Sequence, residues 1–160
     1  MSLTAYGRKG KGHSMRSGVY CAVLLVFTLA GDSAAQGTTK FTARLSRAAI
    51  DAAELSRVAG LGLLEADLKG NTLTIQGKFS GLLSAATKAH LDRGSEKGLR
   101  GSFMFALTVS PGTEGTVSGT VRLTSSQVND LRLGRFYVQI DSEKAPDGNL
   151  WGWILPEESR

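Results

Sequence analysis

From Lys40 to Leu155 the chain alternates apolar and polar residues over short runs, with turn-forming residues between them. A period of two places successive side chains on opposite faces of a strand, so each run has one apolar and one polar face. Phe41, Ala43 and Leu45 form the first apolar series, and Leu61–Leu68 reads as the next strand. Gly70-Asn71 is a two-residue hairpin signal, after which Leu73, Ile75 and Phe79 recur on one face. Ala89 and Leu91 point inward from Thr87–Arg93, followed by an inward series of Phe103, Phe105, Leu107 and Val109. Pro111-Gly112 makes a turn, and Val117, Val121 and Leu123 continue the alternation with Gly119 between them. Phe136, Val138 and Ile140 alternate with Tyr137, Gln139 and Asp141. Ala145–Asn149 reads as a turn, leading to a last strand over Leu150–Leu155 with Trp151 and Trp153 on one face.

Two segments break the period. Ser46–Gly60 is irregular, and its AAIDAAEL stretch suits a helical turn or a loop. Thr124 and Gln127 are spaced as a capping box, Val128 and Leu131 follow three residues apart, and Gly134 suits a left-handed C-terminal position. These features predict a short helix near 125–133. The expected fold is therefore all-β: an antiparallel immunoglobulin-like or Greek-key sandwich or barrel with one short helix.

Residues 1–35 read as a separate segment. Arg8, Lys9, Lys11 and Arg16 precede an uncharged apolar run from Val19 to Ala30, and Ser33-Ala34-Ala35 supplies small residues. A basic region, a short apolar core and a small-residue site make up a secretory signal. As a helix the run would reach only about 18 Å, short of a ~30 Å hydrocarbon core. Cleavage is expected before Gln36, with Met15 as an alternative start and residues 36–160 as one domain. The chain's formal charge of +5 then divides unevenly, because residues 1–35 hold four basic residues and one acidic residue, leaving +2 for the domain. The domain's charges are mixed in sign, so nucleic-acid binding is not expected. After cleavage no stable membrane span is expected, and the location is secreted or periplasmic. The single cysteine, Cys21, lies in the apolar run, so the domain has no disulfide, no thiol nucleophile and no thiolate metal site.

No catalytic set emerges from the remaining residues. The domain lacks a G-x-S-x-G elbow and a phosphate-binding glycine loop, and it is expected not to be an enzyme. Its only histidine is His90. His90 and Asp92 share the outer face of their strand, opposite Ala89 and Leu91, and Asp141 occupies the equivalent face of a later strand. If those strands are neighbours, the imidazole and two carboxylates converge. They could hold a divalent metal such as Zn²⁺, form an Asp–His⁺ pair without metal, or simply line a solvated face. No other cofactor is expected. Tyr137, Trp151 and Trp153 form a second candidate surface, suited to a protein partner or to stacking on a sugar, or else to capping the core.

KFTARLS (Lys40–Ser46), NTLTIQGKFSGL (Asn71–Leu82), KAHLDRG (Lys88–Gly94), GTVSGTVRLTSSQVNDLRLGRFYVQI (Gly115–Ile140) and APDGNLWGWI (Ala145–Ile154) together resemble the CHRD domain. That family occurs in chordin and in many microbial exported proteins. The resemblance implies an immunoglobulin-like β-barrel with a remote likeness to Cu/Zn superoxide dismutases. The family commonly carries His-x-His where this chain has His90-Leu91-Asp92, and another histidine at the position of Asp141. Its usual acidic-proline-proline stretch is replaced by Asp51–Leu55. A family metal site would be reduced here to one histidine and two aspartates, and redox chemistry with it. The expected role is a non-enzymatic exported module, binding or structural, working with a protein partner in an extracytoplasmic assembly. The alternatives are a metal-binding or vestigial dismutase-like site and a carbohydrate binder.

Overall fold

Alternation builds the first strand of the computed structural model, which describes residues 37–48 and 54–157. In β1 (Thr38–Arg47) Phe41, Ala43 and Leu45 are buried while Lys40 and Arg44 stay exposed. Gly70 and Asn71 link β2 (Leu61–Lys69) to β3 (Thr72–Ser80). Gly70 takes φ +59°, a left-handed conformation open to a residue without Cβ. The Asn71 side chain donates to the Leu123 carbonyl at 3.0 Å, and Leu123 N–H donates to the Asn71 carbonyl at 2.8 Å. The hairpin tip is thereby tied to the end of a distant strand.

The chain continues through β4 (Ala86–Arg93), β5 (Ser102–Val109), β6 (Gly115–Arg122), α1 (Ser125–Arg132), β7 (Phe136–Ser142), β8 (Ala145–Trp153) and β9 (Leu155–Pro156). All pairings are antiparallel. The strand order is β2-β3-β6-β5-β4-β7-β8-β1, and β1 pairs again with β2. That second pairing closes an eight-stranded barrel, which removes the open sheet edges a sandwich would keep. β9 lies against β1 at Phe41 and Thr42. Leu64, Leu73, Ile75, Leu91, Ile140 and Leu150 fill the interior, each almost wholly removed from water. Burying a side chain of this size stabilises the fold by ~1.5–3 kcal/mol.

The expected helix forms at Ser125–Arg132 with the capping box in place. Gln127 N–H donates to Thr124 Oγ1 at 3.2 Å, and Thr124 N–H donates to Gln127 Oε1 at 2.8 Å. Val128 and Leu131 pack inward, and Gly134 turns the chain at φ +69°. Asp130 takes Arg93 at 2.8 Å and Arg135 at 2.9 Å, pinning the helix to β4 and to the approach to β7.

Three local expectations are corrected. Phe103 does not join the inward series. Leu91 pairs with Phe105 but Asp92 pairs with Phe103, so β5 contains one extra residue there. The bulge packs Met104 against the core and leaves Phe103 outside, 62% exposed. The β7–β8 hairpin turns at Glu143-Lys144, not over Ala145–Asn149. Ser142 pairs with Ala145 and the next pair is Ile140 with Leu150, so residues 146–149 bulge out of β8. Asn149 holds that bulge from inside: it is buried, its amide nitrogen donates to the Ala59 carbonyl at 2.7 Å, and its oxygen accepts from Ser142 Oγ at 3.3 Å. The third correction concerns β7, whose every residue is buried, including those on its supposedly polar face. AAIDAAEL falls partly outside the described residues, and Glu54–Ser56, which overlap its end, form a short 3₁₀ turn. The leader expected over residues 1–35, with Cys21 and the alternative start at Met15, lies outside them. Among the described residues no helix is long and apolar enough to cross a membrane.

Candidate functional site

β4 and β7 are neighbours, so the condition for His90, Asp92 and Asp141 to meet is fulfilled. The register sets His90 opposite Gln139, Asp92 opposite Tyr137 and Lys88 opposite Asp141. On the far side of β7, Tyr137 faces Trp153 and Gln139 faces Trp151. Since i and i+2 share a face, these residues form one patch on the outside of the barrel.

The patch is covered rather than bare. Gly101 N–H, at the end of the loop after β4, donates to the Tyr137 hydroxyl at 3.2 Å. Arg100 in the same loop stacks its guanidinium 5.3 Å from the Trp151 ring centre and donates to the Asp147 carbonyl at 3.1 Å. From the other side, the bulge in β8 brings that same carbonyl to Gln139 Nε2 at 3.1 Å. Beneath this cover Asp92, Gln139 and Asp141 are buried, and the His90 side chain is 15% exposed. His90 therefore does not stand on a solvated face.

The three ionisable side chains meet in line. His90 Nδ1 lies 2.7 Å from Asp92 Oδ1, and Nε2 lies 3.5 Å from Asp141 Oδ2. Gln139 Nε2 donates to the other Asp141 oxygen at 2.9 Å. Both ring nitrogens thus face carboxylates, an arrangement that favours the doubly protonated ring. The Asp141 and Asp92 hydrogen bonds raise the His90 pKa to about 9 against the opposing effect of burial. A pKa in that range favours the imidazolium at neutral pH, between Asp92 and Asp141. A metal ligand needs a neutral nitrogen with a free lone pair. Here Nδ1 is directed at Asp92 and Nε2 at Asp141. Among the described residues no group of three or more His, Cys, Asp or Glu is placed to hold a metal ion.

Tyr137, Trp151 and Trp153 also come together. Tyr137, 1% exposed, sits with its ring centre 4.8 Å from Trp153 and 6.0 Å from Trp151. Burial raises the Tyr137 pKa, so its hydroxyl stays protonated and accepts from Gly101. The indoles are half-buried, 6.3 Å apart and inclined at 59°. Phe103, displaced outward by the bulge, lies 5.9 Å from the His90 ring. The site thus joins a buried ionic row on β4 and β7 to partly exposed indoles beside it on β8, with one arginine from the loop after β4.

Three members of this site were not singled out from the sequence. Gln139 lies midway between Tyr137 and Asp141 on the same face, and that spacing was a usable signal. Arg100 comes from a loop with no regular period, and Phe103 depends on a bulge with no local signature.

In a comparison with family models, the CHRD domain matches residues 41–154, most of the chain. No curated protein and no solved structure matches.

Proposed function

The chain belongs to the CHRD domain family, and from that premise we propose that it is a non-catalytic exported binding module. It works in an extracytoplasmic assembly and meets a protein partner through Arg100, Trp151 and Trp153. The observation behind this reading is the placement of Arg100 on Trp151 beside Trp153, over a fully buried Tyr137. Trp, Tyr and Arg are the residue types that dominate protein interfaces energetically, above all when their neighbours hold them rigid. Here the tyrosine, the β8 bulge and the ion-paired row supply that rigidity. The inclined indoles share no plane, and Arg100 already occupies the Trp151 ring, which favours a protein partner over a flat sugar ring. His90, Asp92 and Asp141 act as the footing of the surface. Export rests on the leader read in residues 1–35 and on the family's usual occurrence. The strand path supports a Greek-key form of the barrel, with β4, β5 and β6 in succession, β3 beside β6 and β7 beside β4.

The test is affinity capture from the extracytoplasmic fraction with the full chain as bait. A defined partner should be recovered, and Trp151→Ala or Arg100→Ala should reduce its capture while the thermal unfolding transition is retained. Recovery of the chain alone, or capture unchanged by both variants, would overturn the reading. Metal analysis of chelator-free protein provides a separate arm. Stoichiometric zinc, copper or manganese lost in His90→Gln would assign the site to metal binding instead.

A further inference from the structure

The barrel is closed, but one of its seams is only partly bonded. β5 pairs with β4 over Ala89–Arg93, and with β6 only through Thr108 with Ser118 and Val109 with Val117. Ser102–Leu107 therefore has a strand on one side only, among the described residues. β6 diverges in the same way, since Gly119–Arg122 pair with β3 alone. The Leu107 side chain lies where a Cβ on Gly119 would stand, filling the narrow end of the gap. Beyond it, Ser102, Phe103 and Ala106 are exposed, and Met104 and Phe105 are partly so. The corresponding corner at β1 is covered by β9.

Half the backbone donors and acceptors of an antiparallel strand point toward each neighbour, so an unpaired side is a template for a further strand. Natural edges are usually guarded by Lys, Pro, an inward charge or shortness. The segment SFMFAL (Ser102–Leu107) has no charge and no proline.

We propose that this edge pairs antiparallel with the same segment of a second copy of the chain, forming a two-fold dimer. Centred between Met104 and Phe105, the pairing sets the large exposed Phe103 of one copy against the small exposed Ala106 of the other, twice by symmetry. The flanks agree in charge. The loop before the strand carries Glu96, Lys97 and Arg100, a net positive charge, and Glu114 follows the strand, so antiparallel pairing brings opposite net signs together and parallel pairing brings like signs together. Trp151 and Trp153 lie outside this edge, while Phe103 and Arg100 border both surfaces; the dimer does not require the partner proposed above.

Sedimentation equilibrium of the full chain, with hydrogen exchange read at low and high protein concentration, tests this. A monomer–dimer equilibrium is expected, with the amides of residues 102–106 gaining protection as concentration rises. Ala106→Lys adds a charge at an exposed position opposite Phe103 and should weaken the dimer by roughly tenfold or more, with a retained cooperative unfolding transition showing that the chain still folds beside His90. Trp151→Ala should leave dimerisation intact. A monomer at every concentration overturns the proposal. So does association insensitive to Ala106→Lys and without edge protection, which would point to another surface. Protection that appears only when a different protein is added would assign the edge to that protein's strand.

Discussion

His90 is held by two carboxylates at once, and this makes the stability of the fold depend on pH. Its pKa is about 9 in the folded protein, against an ordinary 6.5 in the unfolded chain. A raised pKa means the folded state binds the proton more tightly, so the stabilisation is complete below about pH 6.5 and lost as pH rises through about 9. The loss is on the order of 3 kcal/mol. Urea midpoints measured between pH 6 and 10 should fall across that window, and the fall should vanish in His90→Gln. An NMR titration of the His90 ring that gave an ordinary pKa would refute the in-line geometry. Removing the ring altogether has a larger cost. His90→Ala leaves Asp92 and Asp141 buried without their shared cation, and breaking a buried ion pair from one side costs about 3–5 kcal/mol. Chemical denaturation at pH 6 should show a loss of this size. Asp141→Asn should cost less, because the Asp92 contact at 2.7 Å remains.

The elements differ in how locally they are determined, and this decides which could be read in advance. The α1 cap lies within four consecutive residues, Thr124 to Gln127, and both of its hydrogen bonds are local. Thr124→Ala should therefore cost about 1 kcal/mol in thermal or denaturant unfolding, with Thr124→Ser close to neutral. Strand faces were equally legible, since parity alone sends Phe41, Leu73, Leu91 and Ile140 inward. The bulges were not. Phe103 has the right parity for the core, and only the pairing of β5 with β4 shows the extra residue that turns it out. Pro146–Asn149 has the composition of a hairpin turn, yet the turn lies at Glu143-Lys144 because the buried amide of Asn149 bonds to Ala59, distant in sequence. The site divides along the same line. His90, Asp92 and Asp141 could be placed on one face from spacing alone. Their burial and order depend on the register of β4 with β7 and on a loop that places Arg100 over Trp151.

At the scale of the molecule, closure depends on a short seam. β1 pairs in register with β8 at Ser46 with Trp151 and Arg47 with Leu150, and just past β1 Ala48 N–H donates to the Asn149 carbonyl at 3.0 Å. Gly152 makes the approach possible. A Cβ there would lie 2.5 Å from the Arg44 carbonyl oxygen and 2.8 Å from Leu45 Cδ2. The first of these is backbone, so relief requires β1 and β8 to separate. Gly152→Ala should therefore destabilise the barrel by about 1–3 kcal/mol, the usual cost of overpacking a filled site. Because Trp151 and Trp153 flank the glycine, the change should also alter tryptophan fluorescence in the folded state. Gly37→Ala is the control: nothing lies within 4 Å of its added Cβ, and the change should stay within about 0.5 kcal/mol. If denaturant midpoints of the two variants coincide and the fluorescence is unchanged, the seam is looser than this packing implies. Closure through β1 would then not be what holds the aromatic face rigid.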